Sequence, residues 1–113
     1  MKTSFIDALK RLPANQTAAN PQGERFANVL QHGSMSVEIY APKGKDLQQP
    51  HAQDELYFIQ RGSGQLDIAG EKFSAQAGDV FFVAAGMAHN FENFSDDFAT
   101  WVVFYGKLGG EQP

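Results

Sequence analysis

From Arg25 onward the apolar positions recur at every second residue, in short runs. This is the period of an extended chain, whose successive side chains point to opposite faces. Ser34 to Ala41 shows it most plainly: Met35, Val37 and Ile39 fall on one face, Ser36, Glu38 and Tyr40 on the other. The same reading predicts strands over Phe26 to Gln31, Glu55 to Gln60, Gly64 to Ile68, Glu71 to Ala75, Asp79 to Ala84, His89 to Glu92 and Phe98 to Tyr105. Glycines at 62, 64, 70, 78 and 86 punctuate these runs, with turns at His32-Gly33 and Pro42-Lys43-Gly44. Many short strands at regular spacing predict an all-β sandwich or barrel.

The period before Arg25 is different. Ser4 to Leu12 carries Phe5, Leu9 and Leu12 at helical spacing and predicts a short helix. Ser4 serves as its N-cap, Asp7 suits its first turn, and Lys10 and Arg11 suit its end before Pro13. Ala14 to Glu24 is polar, carries Pro21 and Gly23, and reads as a loop. The expected plan is one domain over residues 1–113: helix and loop at 1–24, β-barrel at 25–106, tail at 107–113.

Two strands lack a polar face. Leu56-Tyr57-Phe58-Ile59 and Trp101 to Tyr105 are apolar on both sides. A strand with one core-facing side should show one wet side, so something covers the second. A homodimer is the favoured cover, and the N-terminal helix competes with it.

Composition narrows the partners. The net charge is −4 and no Lys/Arg cluster is present, which argues against nucleic acid. No stretch is long and apolar enough to span a membrane, and Met1 to Leu12 shows no apolar run of the signal-peptide kind. The chain has no cysteine, which excludes disulfides and thiolate chemistry and is compatible with a cytoplasmic protein.

The chemistry-bearing residues cluster. His51, Gln53 and Glu55 alternate directly before an apolar strand, so one face presents an imidazole, an amide and a carboxylate. Asp54 points the other way, as a solvated group or a turn acceptor. His89 follows the turn Gly86-Met87-Ala88. A single histidine in either place is more often an ordinary surface or core residue. Two histidines and a carboxylate converging from two strands make a plausible metal site. His32, beside Gly33, reads as a turn residue. Tyr57 and Ile59 continue the inward face from Glu55. Phe82 and Ala84 are expected on the opposing strand, Phe91 on the face of His89, and Trp101 or Phe104 at the cavity's edge. Most of these aromatics are expected to be core. Met35 and Met87 read as packing, and Arg61 and Lys72 as solvated.

These two stretches resemble the two motifs of the cupin family. The first motif runs G-x5-H-x-H, three or four residues, then E-x6-G. The second runs G-x5-P-x-G-x2-H-x3-N. Gly78, Gly86, His89 and Asn93 match the second throughout, with Ala84 in the proline's place. Glu55 and Gly62 match the end of the first. Aligned from His51, Gln53 takes the place of the second histidine, the gap before Glu55 shrinks to Asp54, and Lys45 stands where glycine is usual.

The resemblance implies an all-β, cupin-type double-stranded β-helix (a jelly-roll barrel) with the short helix appended. It implies His51, Glu55 and His89 as ligands of a divalent metal ion, Fe, Mn, Ni or Zn. Gln53 becomes a fourth ligand, a holder of metal-bound water, or a substrate contact. Tyr57 becomes the group that orients a bound ligand. A set of two histidines and one carboxylate leaves coordination positions open, as in non-haem Fe(II) oxygenases. The expected function is a metal-dependent enzyme on a small organic molecule, with dioxygenase-like chemistry ahead of isomerisation or epimerisation. A non-catalytic small-ligand module and a structural dimer with a degenerate site are the alternatives.

Overall fold

A computed structural model describes residues 1–113. The first element is a single helical turn, α1 (Phe5–Leu9). Ser4 caps it as expected, its Oγ accepting the Asp7 N–H at 3.1 Å. The helix is shorter than the periodicity predicts. The Arg11 and Leu12 N–H groups donate to carbonyls three residues back, on Ala8 and Leu9, so the chain tightens and leaves the helix before Pro13. Its buried residue is Ala8 rather than one of the expected stripe.

Eight strands follow: β1 (Phe26–His32), β2 (Met35–Tyr40), β3 (Asp54–Arg61), β4 (Ser63–Ile68), β5 (Glu71–Gln76), β6 (Val80–Val83), β7 (His89–Glu92) and β8 (Ala99–Tyr105). Each lies within a residue of the stretch its alternation predicts. All pairings are antiparallel. One sheet has the order β1-β2-β8-β3-β6 and the other β5-β4-β7. The chain changes sheet at each junction from β3 onward except the β4–β5 hairpin. The β3–β4 crossing turns on Gly62, at φ +80°, where a Cβ would lie 2.8 Å from Phe98 Cα and 2.4 Å from Ser95 Oγ. Any larger residue there clashes as well as straining the backbone.

The core lies between the sheets. Tyr40, Tyr57, Ile59, Val83, Val102 and Phe104 from the larger sheet meet Leu66, Ala75 and Phe91 from the smaller, with Phe98 packed among them. Phe91 stands edge-on to Tyr57, with ring centroids 4.9 Å apart, and at the same separation from Phe98. Register settles which residues face inward. Glu55 and Tyr57 pair with Val83 and Phe81 on β6, and with Phe104 and Val102 on β8. Phe81 and Val83 therefore face the interior, not Phe82 and Ala84 as the sequence reading expects. Phe82 points outward and is 52% exposed. An even apolar run such as Val80-Phe81-Phe82-Val83 carries no parity of its own; pairing with β3 supplies it.

The same register puts Ser36, Glu38 and Tyr40 on the inner face of β2, opposite Phe104, Val102 and Thr100. The more polar face of that strand looks into the barrel. Its apolar face carries Ile39, fully buried, on the side where α1 lies. Phe5 of α1 packs edge-on against Trp101 at 6.2 Å, and the Arg61 guanidinium stacks over the Phe5 ring. The helix covers only this end of the outer face. Phe58, Val80 and Phe82, on β3 and β6, are 39%, 57% and 52% exposed.

The C-terminal residues dock rather than trail. The Gly109 N–H donates to Ala52 O, and the Glu111 N–H to Asp54 Oδ2 at 2.8 Å. Asp54 is thus buried instead of solvated; its other oxygen accepts the Ala85 N–H at 2.9 Å. These two hydrogen bonds favour the carboxylate and lower its pKa.

Candidate metal centre

Glu55 is placed by β3, whose alternation sends it inward beside Tyr57. It is 1% exposed. His89 opens β7 directly after the turn that follows β6. That turn is pinned to the first motif: the Gly86 N–H donates to the backbone oxygen of His51 at 2.7 Å, and Gly86 itself takes φ +77°. One hydrogen bond therefore brings the two histidine-bearing segments together. Asn93, four residues past His89, sits at φ +52°, a conformation asparagine tolerates better than most residues.

The three groups converge as the sequence predicts. Ligand atoms of His51, Glu55 and His89 all lie within 4.8 Å of one another. His89 Nε2 is 2.7 Å from Glu55 Oε1, and His51 Nε2 is 3.9 Å from Glu55 Oε2. The His89 and Glu55 side chains are closed to solvent, whereas that of His51 is 33% exposed, so His51 stands at the mouth. It packs against Phe104 with ring centroids 4.7 Å apart. His32 lies on the exposed β1–β2 hairpin, away from the cluster.

The donor set fits a divalent ion. Glu55 Oε2 is buried without a hydrogen-bond partner, an expensive state for a carboxylate oxygen. It is also the oxygen on the His51 side, so an ion between the two would satisfy it. His89 Nδ1 lies 2.9 Å from Met87 O, which assigns the proton to Nδ1 and directs Nε2 into the cluster. Burial lowers the His89 pKa, but the hydrogen bond to Glu55 and the contact with Met87 O outweigh it, and the net shift is upward. An incoming ion would compete with a proton for Nε2. His51 moves the other way: burial is the largest cause and lowers its pKa.

Tyr57 reaches the cluster from Glu55's own strand. Its hydroxyl lies 3.0 Å from His89 Nε2 and 3.0 Å from Gln48 Oε1. Burial, then the Glu55 charge, raise its pKa well above that of an ordinary phenol, so it acts as a neutral hydroxyl.

Gln53 sits elsewhere. Its Nε2 donates to Ser34 O and Gly106 O, both at 2.8 Å, and ties the β1–β2 hairpin to the end of β8. The three-residue form of the motif's gap explains this. Counted back from Glu55, that gap places His51 as the second histidine and Gln49 as the first. Ala52, Gln53 and Asp54 become the spacer.

Two residues of the site escaped the sequence reading, Asp46 and Gln48. Both lie in the loop between β2 and β3, where no periodicity marks them. Asp46 is 5% exposed and accepts from Tyr40 O–H, Gln48 N–H, Gln48 Nε2 and Phe91 N–H. Gln48 Oε1 lies 3.3 Å from His51 Nε2.

A cavity of about 360 Å³ opens beside His51, with Glu38, Tyr40, Gln48, Val102 and Phe104 among its walls. Burial, then the charge of Glu55, raise the Glu38 pKa from 4.5 to about 7. The unfolded chain loses this proton near pH 4.5, the folded one only near pH 7. In that window the native state binds the extra proton, so Glu38 makes stability fall as pH rises, and the loss is complete above about pH 7. The shift corresponds to about 3 kcal/mol at most, and solvent screening reduces it to about 1–2 kcal/mol. Metal-free Glu38→Gln should therefore exceed wild type by that amount at pH 8 and match it at pH 4.5. Urea titrations at the two pH values measure the difference.

A small antiparallel β-barrel with two histidines and a carboxylate gathered at its interior defines a class of barrel with a candidate metal site. Residues 36–105 match the family described as cupin domain, and the chain belongs to that family. An uncharacterised protein of Streptomyces coelicolor is 38% identical over 106 residues, covering 92% of this chain and 95% of its own length. Among solved structures, a cupin 2 conserved barrel domain protein from Salinispora arenicola shares 20% identity with a TM-score of 0.63, over 81% of this chain and 82% of its own. KdgF from Halomonas shares 16% with a TM-score of 0.62, over 70% and 74%. A putative ethanolamine utilization protein from Salmonella typhimurium shares 19% with a TM-score of 0.60, over 71% and 67%. These structural likenesses show the fold. No helix is long and apolar enough to cross a membrane.

Proposed function

We propose that this cupin is a metal-dependent enzyme acting on a small organic molecule, with His51, Glu55 and His89 holding the ion. The observation that carries the reading is the unpartnered, buried Glu55 Oε2 between two converging histidines. A bound divalent ion would supply Lewis-acid or, if it is iron, redox chemistry. The chain supplies the rest. Met87 O holds the tautomer of His89, Tyr57 offers a neutral hydroxyl beside the cluster, and Phe104 and Val102 line the dry side of the adjoining cavity. The cavity has the size of a site for a small ligand. Oxygenation is the leading reaction class and isomerisation or epimerisation the second, because two histidines and one carboxylate leave positions open for ligands. The absence of cysteine fits a reducing cytoplasm, where we place the protein.

Elemental analysis of protein purified without a metal-binding tag tests the first step. Stoichiometric metal, native or after reconstitution with Fe(II), Mn(II), Ni(II) or Zn(II), is the expected result. Failure to bind any of them overturns the enzyme reading and leaves a small-ligand-binding module. Oxygen uptake by the loaded protein, screened against small organic acids and enols, separates oxygenation from isomerisation.

We also propose a homodimer through the outer face of the larger sheet. Leu56, Phe58, Val80, Phe82 and Val103 form a continuous apolar surface that α1 leaves open. Light scattering should report a two-chain mass for wild type and a one-chain mass for Phe58→Glu with Phe82→Glu. A wild-type monomer at about 100 μM would remove the proposal.

A further inference from the structure

We propose that Gln48 supplies a fourth donor atom to the metal centre, its amide oxygen, with Asp46 as the positioning residue that fixes the amide's orientation. This rests on the metal reading of the His51, Glu55 and His89 cluster. Asp46 sets the orientation of the Gln48 amide. Four donors converge on its two oxygens: Tyr40 O–H, the backbone N–H groups of Gln48 and Phe91, and Gln48 Nε2 at 2.7 Å. Every one of these contacts comes from an O–H or N–H donor, so both oxygens act as acceptors. A flipped Gln48 amide would bring its oxygen against the carboxylate, so Nε2 must face Asp46 and Oε1 must face the cluster.

The distances suit coordination. Oε1 lies 3.3 Å from His51 Nε2 and 3.0 Å from Tyr57 Oη. Donor atoms bonded to one ion at about 2.1 Å stand about 3.0–3.5 Å apart in octahedral or tetrahedral shells. The Gln48–His51 pair already has that spacing. Gln48 also lines the cavity beside His51, so its oxygen reaches the cluster from the open side. The donor comes from the loop before the first motif. It is neither Gln53, which ties two turns together, nor Gln49, which stands in the motif's histidine place.

An amide oxygen is a hard, neutral donor. It leaves the ion and Glu55 with a net charge of +1, and it suits Mn(II) and Fe(II) better than a third imidazole would. Gln48→His should therefore tighten Zn(II) and Ni(II) more than Mn(II).

Chelator competition gives the Mn(II) and Co(II) affinities, and visible absorption of the Co(II) form reports the ligand field. Gln48→Ala should weaken Mn(II) about tenfold or more and shift the Co(II) bands. Gln48→Leu serves the same purpose if the alanine form fails to fold. Asp46→Asn should weaken the ion less than Gln48→Ala and broaden the Co(II) bands, because the amide is no longer held one way round. Wild-type affinity together with a superimposable Co(II) spectrum in Gln48→Ala or Gln48→Leu overturns the assignment. If His89→Ala still loses the ion in that case, the three-residue site stands without Gln48. A wild-type protein that takes up neither ion overturns both.

Discussion

His89→Ala should lower affinity for a divalent ion by at least about 100-fold. A change to an outer hydrogen-bond partner of a metal ligand already costs 10- to 100-fold, and His89 is itself a ligand in the proposed site. The histidine is closed to solvent and its tautomer is set by Met87 O, so alanine removes a donor already oriented toward the cluster. The substitution also strips Glu55 Oε1 of its 2.7 Å partner. Glu55 Oε2 already lacks a hydrogen-bond partner, so the metal-free variant buries a carboxylate with only the 3.9 Å contact to His51. Breaking a buried pair on one side costs about 3–5 kcal/mol. His89→Ala should thus melt well below wild type, whereas Glu55→Gln should lose the metal with a smaller loss of stability. Calorimetry with and without metal, beside chelator competition, measures both effects. Undiminished affinity in both variants would remove the site.

Asp46→Ala should destabilise the fold by about 3–5 kcal/mol. No other side chain accepts hydrogen bonds from so many parts of the structure. It joins the Tyr40 hydroxyl on β2, the Phe91 N–H on β7 and the Gln48 loop. Each donor left unpaired in a buried site costs about 1–3 kcal/mol, and water entering the vacated space recovers part of that. Asp46→Asn retains an acceptor oxygen but introduces an N–H group facing donors, so it should fall between alanine and wild type. Urea unfolding gives the comparison. A loss under about 1 kcal/mol for the alanine form would mean that Asp46 does not join the two sheets.

The strands were the most legible part of the chain. Their existence depends on alternation and on glycine turns, both local properties, and each appears within a residue of its expected bounds. Helix α1 was overextended because spacing shows where a helix is tolerated, not that the chain tightens to three-back hydrogen bonds at Arg11 and Leu12 before Pro13. The second motif was legible for the same local reason: Gly86, His89 and Asn93 each answer to a turn or a strand start. The first was misaligned. His51, Gln53 and Glu55 do alternate, but register along a sequence says nothing about which side chain another part of the chain has already engaged. Ser34 O and Gly106 O hold Gln53, and neither is near it in sequence.

Local pattern decided that this chain is an all-β sandwich or barrel with His51, Glu55 and His89 as its chemistry-bearing residues, and the resemblance to the cupin motifs singled out the barrel and the ligand set. Period-two burial and glycine turns act over a few residues, and the spacing around His89 is distinctive. Only the folded structure decided the inward face of β6, the buried role of Asp54, and the place of Asp46 and Gln48 beside the cluster. Each depends on partners from distant segments: strand register for β6, backbone N–H groups of Ala85 and Glu111 for Asp54, Phe91 for Asp46. Such pairings depend on which chain segments meet in space, and no local period records them.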